Sequence, residues 1–154
     1  MVGDIEHSRV ARSAWQALTT LGIAEFALAG PPHLMPAPED FPGSPRYDSV
    51  DAAVADADVV MALRIQRERM QEAQIPDDDA YCRAFGITAE RLARARPDAI
   101  VMHPGPMNRG VEITPDVADG PQSVIRQQVT NGVAVRMAVL ATVVRNVQAR
   151  RHFQ

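Results

Sequence analysis

Val59-Val60-Met61-Ala62-Leu63 is an unbroken apolar run that stops abruptly at Arg64-Ile65-Gln66-Arg67-Glu68-Arg69. Five apolar residues without alternation suit a strand covered on both faces, as in parallel sheets. The polar burst then falls at the strand's carboxyl end. Open α/β sheets bind ligands in the crevice outside those ends. One stretch thus suggests both an architecture and a place for a site.

The flanking sequence extends the pattern. Met1 to Ile5 reads as the end of a strand. Arg9 to Leu21 carries Val10, Ala11, Ala14, Trp15, Leu18 and Leu21 at helical spacing and stops at Gly22. Phe26 to Ala29 reads as a second strand. Residues 31–45 hold six prolines, which fix φ and remove donors, so a loop or a broken edge is expected. A short helix follows Ser49, from Val50 to Ala57. Ile65 to Asp79 reads as a long polar loop, a class that is often functional in compact domains. Helical segments are expected over Ala80 to Phe85 and Ala89 to Arg96, the second capped by Thr88. Ala99 to Met102 is the next strand. Pro121 begins a helix after Gly120, and a long helix closes the chain from about Gly132 to Ala149. Strand alternating with helix predicts an α/β fold: a doubly wound, mostly parallel, Rossmann-like sheet with helices on both faces. The first strand, at Met1 to Ile5, is expected to be truncated.

Composition narrows the function. The 154 residues amount to one domain, 46% hydrophobic and 23% charged, which is ordinary for a globular protein. A net charge of −3 provides no field for nucleic acid or an anionic membrane. All 16 basic residues are arginine, so lysine chemistry cannot come from this chain. Cys82 is the single cysteine, which excludes an internal disulfide and fits a reducing compartment. Met1 to Glu6 has no apolar signal core. Val133 to Val144, interrupted by Arg136, is too short and too charged to span a bilayer. The scattered histidines and lone cysteine form no zinc pattern, and no glycine loop cradles phosphate. No metal or cofactor is expected.

Three polar clusters follow strand ends: His7-Ser8-Arg9, Arg64 to Arg69, and His103-Pro104-Gly105-Pro106 with Asn108-Arg109. Arg9 stands where a helix begins, against the helix dipole, at a cost of roughly 0.3–1 kcal/mol. A bound anion would remove that conflict; so would an ion pair with Asp4 or Glu6. Arg64 directly follows apolar residues and must be paired, since a bare buried cation is very costly. Its planar fork suits a ligand carboxylate, or an internal partner such as Asp58 or Glu68. Gln66 can point to the same side in an extended chain. Arg67 reads as part of a solvated turn. Pro104 and Pro106 stiffen a backbone whose carbonyls lack strand partners, and such carbonyls can accept from an amine. His103 alone reads more readily as structural than as catalytic.

At these residues the chain resembles the aspartate carbamoyltransferases, within the aspartate/ornithine carbamoyltransferase family. The matching stretches are Gly3 to Ser13 (GDIEHSRVARS), Met61 to Arg69 (MALRIQRER), His103 to Ile113 (HPGPMNRGVEI) and Thr130 to Ala138 (TNGVAVRMA). They run in family order across nearly the whole chain. The ornithine enzymes carry Ser-Met-Gly and His-Cys-Leu-Pro stretches where this chain has Arg64-Ile65-Gln66 and His103 to Pro106. The resemblance implies carbamoyl transfer from carbamoyl phosphate to the amine of L-aspartate, in pyrimidine biosynthesis. It implies that Arg9 holds the α-carboxylate and Arg64 the side-chain carboxylate. Gln66 would orient the substrate, and the backbone of Pro104, Gly105 and Pro106 would contact the reacting groups. Arg69 would tie two domains together on closure, beneath a mobile loop. A cytoplasmic homotrimer follows by the same resemblance.

The family's carbamoyl phosphate site lies in a separate amino-terminal domain, with a Ser-Thr-Arg-Thr-Arg motif, a histidine and a neighbouring subunit's lysine. None of these occurs here. Residues 1–154 are therefore expected to form the aspartate-binding domain alone, with helix 131–149, apolar almost all round, packing on the absent domain. The alternative is a non-catalytic aspartate-binding or interaction module, a pseudoenzyme or gene fragment.

Overall fold

A computed structural model describes residues 1–69 and 77–151. Five parallel strands form one sheet in the order β3-β2-β1-β4-β5. They are β1 (Val2–Gly3), β2 (Leu28–Ala29), β3 (Arg46–Tyr47), β4 (Val59–Leu63) and β5 (Ile100–Met102). The chain winds outward from β1 to β2 and β3, then crosses to β4 and β5. The winding direction therefore reverses between β1 and β4. Switch points of this kind are where open α/β sheets bind ligands.

Period-two alternation sends neighbouring strand residues to opposite faces. Val2, Ala29, Val60, Ala62 and Val101 share one core with Val50, Leu92 and Val117. These last three belong to α2 (Val50–Ala53), α4 (Ala89–Leu92) and α5 (Pro115–Ala118). Leu28 and Leu63 join Ile5, Phe26 and Phe41 in a second core, where α1 (Arg9–Thr20) packs Ala11 and Trp15. Phe41 meets Trp15 edge-on and stacks with Phe26. A smaller core of Leu34, Ile65, Tyr81 and Val111 lies over the strand ends. It includes α3 (Asp78–Phe85), which Asp77 caps by accepting the Ala80 N–H at 2.8 Å.

β1 is central although only two residues are in ladder register. A side chain at Gly3 is excluded on two counts. Its φ is +127°, and a Cβ there would stand 2.5 Å from the Leu63 carbonyl oxygen. The proline-rich segment forms two 3-10 turns and then the edge strand β3, where missing donors cost least.

Two expectations need correction, and one helix was not anticipated. The helix placed at Pro121 does not begin there. Val101 donates to the Gln122 carbonyl at 2.8 Å and Val124 to the Val101 carbonyl at 3.0 Å, so residues 122–124 run extended beside β5. The helix at Gly132 is not separate either: α6 (Ile125–Arg151) runs straight through it. Finally, Pro115 opens α5, a turn of helix unmarked by any apolar repeat. In α6, Ile125 is buried, but Val129, Val135, Met137 and Leu140 are all more than half exposed.

Candidate functional site

The loop after β1 is built by Asp4, which is fully buried. Its Oδ1 accepts the His7 N–H at 3.2 Å and lies 2.8 Å from His7 Nδ1. Its Oδ2 accepts the Gln66 N–H at 3.1 Å. One carboxylate thus joins the segment after β1 to the segment after β4. Asp4 is not the partner of Arg9. Ser8 caps α1 by accepting the Ala11 N–H at 3.1 Å. That cap fixes Arg9 at the first helical position, exposed, with no side-chain hydrogen bond or ion pair among the described residues.

Arg64 follows β4 and is partly buried. Its Nη1 donates to Glu68 Oε2 at 3.2 Å and its Nη2 to Glu68 Oε1. That hydrogen bond is the main reason its pKa is raised; partial burial opposes it, and the charges of Glu68, Glu112 and Asp4 add to it. Of the two internal acids considered for Arg64, Glu68 is therefore the one engaged. Arg67 to Arg69 form a 3-10 turn. Arg67 is not merely solvated: it pairs with Asp78 at the start of α3. The side chain of Arg69 and residues 70–76, which hold most of the expected closing loop, lie outside the described residues.

The turn after β5 is held from inside. His103 is fully buried and Glu112 is 1% exposed. The Gly105 N–H donates to His103 Nδ1 at 2.9 Å, and His103 Nε2 lies 3.2 Å from Glu112 Oε1. Glu112 Oε1 also accepts the Asn108 N–H at 2.5 Å. From α6, Gln128 accepts the His103 N–H at 3.1 Å. Gly105 takes φ +66°, and the Gly105–Pro106 bond is cis. Arg109 turns away and forms a two-pronged pair with Asp119, at 2.6 and 3.0 Å, which holds the Asp119 carboxyl below its usual range.

These three segments enclose a cleft of about 200 Å³ at the switch point. Its walls include Arg9, Arg64, Gln66, Pro104, Gly105 and Pro106, completed by Ser8, Val10 and Leu63. The six residues singled out from the sequence thus line one cleft. It is smaller than the roughly 300–1,000 Å³ of drug-sized pockets, which suits a small polar metabolite. Two cations and no acid line it, so it favours an anion. Among the described residues no group of three or more His, Cys, Asp or Glu is placed to hold a metal ion.

Sequence reading missed Asp4 and Glu112 as organisers. A lone acid between apolar Val111 and Ile113 is a signal that could have revealed Glu112.

The sequence matches the family described as aspartate/ornithine carbamoyltransferase, Asp/Orn binding domain, over residues 1–143. It is 54% identical over 142 residues to the aspartate carbamoyltransferase catalytic subunits of two Stenotrophomonas maltophilia strains, K279a and R551-3. The match covers 92% of this chain but 45% of each relative, so the chain spans under half their length. The fold resembles ornithine carbamoyltransferase from Pyrococcus furiosus, with a TM-score of 0.72 and 30% identity over 91% of this chain and 47% of that one. It also resembles the Burkholderia thailandensis E264 enzyme, with a TM-score of 0.70 and 28% identity over 90% of this chain and 44% of that one. With the match covering nearly its whole length, the chain belongs to the aspartate/ornithine carbamoyltransferase family, of which it carries the Asp/Orn binding domain.

Proposed function

We propose that the chain is the L-aspartate-binding half of an aspartate carbamoyltransferase. The observation that carries this reading is the meeting of Arg9 and Arg64 on one cleft with Gln66 and the Pro104–Pro106 turn. L-Aspartate is a four-carbon diacid with one amine. Arg9 takes its α-carboxylate, Arg64 its side-chain carboxylate, and Gln66 orients it. The backbone of residues 104–106 meets the amine. Arg64 must release Glu68 to do this. That partner is more than half exposed, and exposed pairs contribute about 0–1 kcal/mol. Hydrogen bonds to a charged ligand group contribute about 1.5–3 kcal/mol each, so the exchange is favourable. Ornithine would set its ammonium against a guanidinium, which disfavours it.

The reaction joins the amine nitrogen to the carbonyl carbon of carbamoyl phosphate. The carbon–oxygen bond to phosphate breaks and one amine proton is lost, giving N-carbamoyl-L-aspartate and phosphate. This chain contributes mainly position: holding an amine in line with its target can remove several kcal/mol of barrier. Carbamoyl phosphate is bound by protein outside this chain, in keeping with the 45% coverage of the relatives. Assembly as a cytoplasmic homotrimer belongs to the same proposal. Among the described residues no helix is long and apolar enough to cross a membrane.

Titration calorimetry tests the reading. L-Aspartate and succinate should bind at one site and L-ornithine should not. The chain alone should form no N-carbamoyl-aspartate, and adding a carbamoyl phosphate-binding domain should restore its formation. Ornithine binding as tightly as aspartate contradicts the assignment.

A further inference from the structure

The turn at residues 104–106 has an unusual supply of donors. Pro104 and Pro106 have no N–H, so Gly105 N–H is its one main-chain donor. That donor goes to the buried His103 ring at 2.9 Å. A backbone N–H can only donate, so His103 Nδ1 must be unprotonated. The ring proton then sits on Nε2, facing Glu112 Oε1 at 3.2 Å. The same oxygen accepts the Asn108 N–H at 2.5 Å, closing the turn at its far end. Glu112 Oε2 is buried and unpartnered. The carbonyls of residues 104–106 accept no backbone hydrogen bond among the described residues. Nothing in the sheet sets their direction; the prolines stiffen the turn, and the His103–Glu112 pair ties it to the interior.

We propose that Glu112 is a positioning residue: by fixing the Nε2–H tautomer of His103, it aims the turn at residues 104–106 toward the substrate amine. The proposal rests on the aspartate reading for its ligand, but the clamp itself is a property of the chain. Glu112 touches no substrate and acts through His103 and the Asn108 N–H. Gln128 of α6 accepts the main-chain N–H of His103 at 3.1 Å, which fixes the backbone from which the ring projects; the ring itself is held at Nε2 by Glu112. A second proton on Nδ1 would break the Gly105 bond.

Two readouts on the ¹⁵N-labelled chain test this. In the first, without ligand, His103 should show an unprotonated Nδ1 and a protonated Nε2. Glu112→Gln retains an oxygen for both donors, with its amide where Oε2 had no partner, and should preserve the tautomer. Glu112→Ala should mix the tautomers and broaden the Gly105 and Asn108 amides. His103→Asn, which keeps an acceptor near Nδ1, should hold Gly105 better than His103→Gln, which keeps only a donor near Nε2.

The second readout compares L-aspartate with succinate, which has both carboxylates and no amine. Glu112→Ala should lose an aspartate preference of about tenfold, the size expected for one hydrogen bond to a charged group, and keep its succinate affinity. A merely structural role would weaken both ligands together. Failure of wild type to bind succinate would sink the aspartate-site reading, and the tautomer would still judge the clamp. A proton on Nδ1 in wild type overturns the proposal. So does an unchanged Gly105 amide and aspartate preference in Glu112→Ala.

Discussion

Arg64 has one planar fork and two candidate partners, Glu68 in its own chain and a carboxylate in the cleft. Replacing it with alanine should weaken succinate binding at least tenfold, the equivalent of about 1.4 kcal/mol, and shift the thermal midpoint little, because the Glu68 pair is exposed. Calorimetry and a melting curve check both parts. Asp4 is the opposite case. It is buried and holds Gln66 N–H and His7 N–H. Asp4→Ala orphans both donors and should destabilise the fold by about 3 kcal/mol, measured by urea unfolding. The difference explains what could be read from sequence. Arg9, Arg64 and Gln66 stood out because polar residues at strand ends announce themselves. Asp4 and Glu112 did not, because an acid in a sequence suggests solvent, and only the fold reveals which acids are enclosed by main-chain donors.

The elements divide in the same way. β4 was legible because a strand covered on both faces has no polar alternation to hide it. The start of α6 was not, because residues 122–124 pair along β5 and so delay the helix, a tertiary contact no local signal records. Gly132 looked like a boundary, yet a glycine inside a helix costs only about 1 kcal/mol and α6 runs through it. Gly3 is different. Its φ of +127° and its approach to Leu63 predict that Gly3→Ala destabilises the sheet by about 2 kcal/mol or more, as urea unfolding would register.

At the scale of the whole molecule, α6 leaves a sheet that is otherwise well covered. Val133, Val135, Met137, Leu140 and Val143 are exposed on several sides, and a surface helix with one partnered stripe does not look like this. The expected consequence is concentration-dependent association, seen by sedimentation velocity and reduced by polar substitutions at Val135, Met137 and Leu140. The cleft lies at the carboxyl ends of the strands, where on the aspartate reading two guanidinium groups from separate segments hold one four-carbon diacid. The direct measurement follows the side-chain Nε–H resonances of Arg9 and Arg64 by NMR as succinate is added. Both should shift along one curve with a common midpoint. If only one moves, or the two midpoints differ, the diacid is not held between them.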